Sequence, residues 1–167
     1  MTTEARVMPN DPYTRLDSLG ITLPGAIAPV GTFTPAVIAG SLLFLSGHIA
    51  RRDGRPWVGR LGENLTEEEG SRAARAAAID LLATMAAAVE DLRCVRRIVK
   101  LTVFVNSAPT FTQHPLVANG ASDLLRDVFG EAGVHARSAV GVAQLPFGSC
   151  VELELVAEVE RACDSRS

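Results

Sequence analysis

Few positions in this chain could do chemistry. Arg137 stands in His135-Ala136-Arg137-Ser138-Ala139-Val140-Gly141, a run that reads as the start of a strand. A guanidinium at a rigid strand end can clamp a carboxylate, because its planar fork matches two oxygens. The plainer reading is a strand-edge arginine paired with a nearby acid. Glu152 interrupts the apolar run Val151-Glu152-Leu153-Glu154-Leu155. Such a carboxylate either faces solvent or serves a site. Ser46-Gly47 closes an apolar strand, where glycine permits close backbone approach and free amides could hold a ligand oxygen.

Other chemistry is poorly supported. The chain has no GxSxG, GxGxxG, Walker loop or HExxH. His48, His114 and His135 are scattered, which argues against a metal site, and no cofactor motif is present. Cys94, Cys150 and Cys163 are far apart and odd in number, as expected of reduced thiols. The net charge of -3 and pI near 5.6 disfavour a nucleic-acid partner. No apolar run is long enough for a membrane span, and residues 1–12 lack a signal-peptide core. The expected location is the cytoplasm.

The 167 residues, 47% hydrophobic and 21% charged, suffice for one domain with its own core. Residues 1–30 read as an arm with a short helix over Tyr13–Leu19, residues 31–160 as a single domain, and 161–167 as a frayed tail. Ala36–Gly40 and Leu42–Gly47 flank Gly40-Ser41 and predict a hairpin, its second strand covered on both faces. His48–Gly62 reads as a polar loop with a turn at Asp53-Gly54. Thr66-Glu67-Glu68-Glu69 is a capping box. It opens a helix predicted to reach Leu92, with Ala74, Ala78, Leu81, Leu82, Met85, Val89 and Leu92 as its apolar stripe. Val95–Val105 is the strongest strand signal, Leu116–Phe129 a second helix, and Ala136–Val142 and Cys150–Glu158 two more strands. The pattern is α+β: a sheet carrying two helices on one face.

Taken together, the run His135–Pro146, Val151-Glu152-Leu153-Glu154, Leu45-Ser46-Gly47-His48 and Ile98–Val105 resemble the Rid family of reactive-intermediate deaminases, also called the YjgF or endoribonuclease L-PSP family. The resemblance spans roughly Pro29 to Glu158. Val117–Leu125, with Val128-Phe129-Gly130, looks like a distinct branch. The resemblance implies a chorismate-mutase-like α+β fold, a mixed β-sheet with two helices on one face, assembled as a homotrimer with sites between subunits. It implies hydrolysis of 2-imino and enamino acids to 2-keto acids and ammonia, without metal or cofactor. Arg137 matches the arginine that holds the substrate carboxylate. Glu152, fifteen residues on, matches the glutamate that orients the attacking water. Ser46 and Gly47 match the family's Ser-Gly pair, and Asn119 aligns near a site asparagine. Two positions depart: Phe33 stands where the deaminases carry tyrosine, and Ala139 where they carry cysteine.

The expected partners are a small carboxylate-bearing metabolite and further copies of the chain, with no nucleic acid or membrane. Two alternatives stay open. One is a binding or sensing trimer that uses the same pocket without turnover. The other is a ribonuclease, disfavoured by the acidic pI.

Overall fold

The computed structural model describes residues 11–160. The expectations for residues 1–10 and 161–167 lie outside them. Asp11 caps the first helix, α1 (Pro12–Ser18), by accepting from the Thr14 amide. The arm packs on the domain. Leu16 is buried in the core, the Tyr13 hydroxyl accepts from the Leu92 amide, and Arg15 donates to the Asp127 carbonyl.

A five-stranded mixed sheet follows. β1 (Ala36–Ala39) and β2 (Leu42–Ile49) form the hairpin, with Ala39 opposite Leu42. After it come β3 (Arg51–Arg52) and β4 (Arg55–Pro56), a small separate hairpin turning at Asp53-Gly54 within the expected polar loop. Then come α2 (Glu67–Val89), β5 (Val95–Asn106), α3 (His114–Phe129), β6 (Ala136–Val142) and β7 (Val151–Val159). The strand order is β1-β2-β7-β5-β6, with only β5 and β6 parallel.

The capping box forms in full. The Glu69 amide donates to Thr66 Oγ1 at 3.2 Å, and the Thr66 amide to Glu69 Oε2 at 2.9 Å. The α2 helix stops earlier than its apolar stripe suggests. Glu90 turns left-handed at φ 64°, and Leu92 belongs instead to a short 3-10 turn that Asp91 caps. The α3 helix starts two residues earlier than expected, with Pro115 in its first turn, where a missing N–H costs nothing.

Both long helices cover one face of the sheet. Leu43 and Leu45 of β2, Leu101, Val103 and Val105 of β5, and Val151, Leu153 and Leu155 of β7 are buried on that side. Among the described residues no helix covers the opposite face, and much of it is exposed. This corrects the expectation that β2 is covered twice: its residues alternate, and Phe44 is 43% exposed. Val140 of β6 is 44% exposed on the same open face. Continuous apolar spelling along β2 therefore marks an apolar face that the described residues leave partly exposed, not a strand between two layers.

Cys150 is free and buried, and burial raises its pKa to about 11. Cys94 is disulfide-bonded, which corrects the expectation of three reduced thiols. No helix among the described residues is long and apolar enough to cross a membrane.

Candidate active site

A bulge in β2 builds the first half of the site. Leu45 pairs with Leu155, but His48 pairs with Leu153. Two residues, Ser46 and Gly47, thus face the single Glu154 between those partners. The extra residue resets the alternation, so Leu45 and His48 both turn toward the helices while Gly47 approaches Glu152. A Cβ on Gly47 would overlap Glu152 Oε1. Glycine is required here for the carboxylate to lie against the strand.

Glu152 lines a cavity of about 450 Å³ with Phe33, Ser46, Gly47, Ile49 and Arg51. Ile27 to Val30 of the arm and Pro146-Phe147 close its sides. Three sequence candidates beside Glu152 therefore converge: Phe33, Ser46 and Gly47. The walls are mostly apolar, and Glu152 makes no hydrogen bond or ion pair among the described residues. Burial lifts its pKa above the usual carboxylate range, and the neighbouring Glu154 adds to the rise. Glu154 itself is exposed and lies outside the cavity.

The Ser46 amide is not free to hold a ligand, as its sequence context suggested: it donates to the Pro35 carbonyl at 3.0 Å. Its hydroxyl donates to the Thr34 carbonyl at 2.7 Å and presents only lone pairs to the cavity. His48 is buried below. Its ring bridges the Ser46 carbonyl and Thr84 Oγ1, both at 2.7 Å, and burial lowers its pKa.

Arg137 stands elsewhere. It rises from β6 opposite Leu101, on the helix-covered face, and lies outside the Glu152 cavity. Its Nη1 donates to Asn119 Oδ1 at 2.9 Å and to Ser122 Oγ at 3.0 Å. Its Nη2 donates to the Pro115 carbonyl at 3.2 Å. All three acceptors are neutral oxygens of α3. No carboxylate pairs with Arg137 among the described residues, so the reading of a strand-edge arginine paired to an acid does not hold. Three of its five N–H groups are used, which leaves Nε–H and one on Nη2 for a ligand. Asn119 is thus an orienter of Arg137. Ala139 lies two residues along the same face, partly buried against the core.

Sequence reading missed Arg51, the arm residues Ile27 to Val30, and Ser122 and His135 around Arg137. The arm lacks any periodic signal, and Ser122 becomes meaningful only once α3 lies beside β6. Among the described residues no group of three or more His, Cys, Asp or Glu side chains could hold a metal.

The chain is similar to known proteins over most of its length. The sequence model of the family described as YjgF/chorismate mutase-like, putative endoribonuclease matches residues 13–159. Protein TCP17 of Trypanosoma cruzi is 51% identical over 146 residues, covering 86% of this chain and 91% of that protein. A 2-iminobutanoate/2-iminopropanoate deaminase of Dermatophagoides farinae is 30% identical over 142 residues, covering 84% of this chain and 95% of that protein. The crystal structure of the protein Atu1372 from Agrobacterium tumefaciens, of unknown function, superposes with a TM-score of 0.83 at 40% identity. It covers 89% of this chain and 92% of that one.

Proposed function

The chain belongs to the YjgF/chorismate mutase-like family, and from that premise we propose that it hydrolyses small 2-imino and enamino acids to 2-keto acids and ammonia. The site is shared by two copies of the chain within a closed homotrimer. The Glu152 cavity of one copy meets the Arg137 edge of the next. One observation carries this reading. Arg137 and Glu152 are half-buried, of opposite charge, and neither has a counter-charge among the described residues. Burying ionised groups this way is costly unless a ligand or partner completes them.

The chemistry follows from the two groups. Arg137 binds the carboxylate of the imino acid through its remaining N–H donors. This leaves the imine carbon facing the carboxylate of Glu152. Glu152 accepts a proton from water as the oxygen attacks the carbon of the protonated imine, giving a neutral carbinolamine. It returns that proton to nitrogen, and as the C–N bond breaks its carboxylate takes the hydroxyl proton, so ammonia and the 2-keto acid leave; the last proton goes to the departing ammonia as ammonium. Water is the only co-reactant. Because imines hydrolyse readily in water, placing the reactants supplies much of the acceleration. The apolar walls strengthen Glu152 as a base by the same burial that raises its pKa.

A second reading rests on Phe33. It lines the cavity 51% exposed but has no hydroxyl to bond a substrate. The same pocket would then hold a keto acid without turnover. The deciding measurement is ammonia release from 2-aminoacrylate and bulkier 2-imino acids generated in situ. The expected result is a rate above the no-protein control. Rates equal to that control across the panel end the deaminase reading and leave the binding one.

A further inference from the structure

Ser122 and His135 have no place in the reading above, yet both belong to the Arg137 cluster. His135 Nδ1 lies 2.6 Å from the Gly133 carbonyl oxygen. A carbonyl only accepts, so Nδ1 carries a proton. Burial, together with the positive charge of Arg137, pushes the His135 pKa down and favours the neutral ring. Its Nε2 then offers a lone pair, 3.0 Å from Ser122 Oγ. A serine hydroxyl has one proton, and here it goes to Nε2. What remains at Ser122 Oγ is acceptor capacity, and Arg137 Nη1–H fills it at 3.0 Å. The chain of bonds has one direction: Arg137 to Ser122, Ser122 to His135, His135 to the Gly133 carbonyl. Its far end is pinned, because Gly133 is buried so closely on the Leu125 carbonyl that a Cβ would overlap it.

We propose that His135 and Ser122 are positioning residues for Arg137. By taking the only proton of Ser122, His135 fixes which way that hydroxyl's lone pairs point, and one of them receives Nη1–H. With Asn119 holding the other Nη1 proton, the guanidinium plane is fixed before any ligand arrives. Its Nε–H and remaining Nη2–H then point in one set direction. Without His135 the hydroxyl is free to rotate and turn its lone pairs away from Nη1–H, and one of the two locks on Nη1 loosens. The inference rests on Arg137 as the carboxylate anchor only for its consequence in binding, since the lock itself exists without ligand.

Two measurements on the full chain test it. The first is ligand-free 15N NMR of the Arg137 guanidinium, assigned by its loss in Arg137→Lys. The wild type should show slow rotation and separate Nη1 protons. Ser122→Ala and His135→Ala should each speed that rotation. Ser122→Thr and His135→Gln, which keep a hydroxyl and an acceptor, should restore much of the lock and serve as the folded controls. Unchanged Arg137 signals in His135→Ala and Ser122→Ala overturn the proposal. The second is calorimetric titration with 2-oxobutanoate. Ser122→Ala or His135→Ala should weaken binding about 3–10-fold, the scale of one neutral hydrogen bond, and add nothing in an Arg137→Lys background. Full additivity would mean that the two residues act by another route, and would also overturn it. If 2-oxobutanoate does not bind the wild type while the NMR result holds, the carboxylate reading fails and the positioning role stands.

Discussion

Arg137 and Glu152 point to opposite faces of the same sheet, with β5 between their strands. Arg137 stands opposite Leu101, which is fully buried under the helices. Glu152 stands opposite Phe104 and beside Ile49, on the face that no described helix covers. Within one chain the two groups therefore do not line a common cavity. If both act, they must come from different copies.

Assembly is therefore the first prediction. The exposed apolar residues of the open face, Phe44 and Val140 among them, should be buried in a closed trimer of the 17.7 kDa chain. Sedimentation should give three times the chain mass, and a monomer at micromolar concentration contradicts it. Co-expressed Arg137→Lys and Glu152→Gln chains should regain part of the activity that each lacks alone. Failure of mixed trimers to recover any turnover contradicts a shared site.

Arg137→Lys should keep the fold, because Arg137 bonds only to neutral oxygens of α3 and breaks no ion pair. It should weaken binding of 2-keto acids by about 1.5–3 kcal/mol, the scale of a hydrogen bond to a charged group, since an ammonium lacks the planar fork. Calorimetry beside a thermal melt reads both effects. Unchanged affinity removes the anchor role.

Glu152→Gln keeps size and loses the base, so turnover should fall roughly 10²–10⁴-fold with affinity held. Glu154→Gln should be near neutral, because Glu154 lies outside the cavity. Wild-type activity should fall as pH drops through the raised Glu152 pKa, a limb absent from Glu152→Gln. A pH–rate profile with no such limb argues against Glu152 as the base.

The same pKa has a consequence for stability. The folded chain holds the Glu152 proton more readily than the unfolded chain does. Stability is thus lost as pH rises from the unfolded pKa through the folded one, and the full cost is present above it. Glu152→Gln should therefore raise Tm at neutral pH, with the gain shrinking at acid pH. Melts of both proteins across pH check this, and an equal or lower Tm for the variant at neutral pH contradicts it.

Gly47→Ala tests the bulge. The added Cβ would strike the far end of the Glu152 side chain, which can swing away, so the chain should still fold. The carboxylate then leaves its place against β2, and turnover should drop toward that of Glu152→Gln. A fully active Gly47→Ala variant would show that this close approach is dispensable.

Local signals were legible in the residues themselves. The Thr66 capping box, the Gly40-Ser41 hairpin, the β-branched run of β5 and the alternation of β7 are set by neighbours a few positions apart, so the sequence alone located them. The resemblance carried by Arg137, Glu152 and Ser46-Gly47 pointed to the family, because those residues recur at recognisable spacing. The rest needed the third dimension. That β2 is covered on one side only depends on which face the helices take, and an apolar run reads the same for either. The β2 bulge arises from pairing with β7, which no local pattern records. The Pro115, Asn119 and Ser122 cradle of Arg137 joins residues 15 to 22 positions away. Only the parallel docking of β6 on β5, with α3 across them, brings those oxygens to the guanidinium. The same docking decided that Arg137 and Glu152 face apart: strand alternation fixes a side chain's face relative to its own neighbours, while pairing fixes it relative to the rest of the sheet.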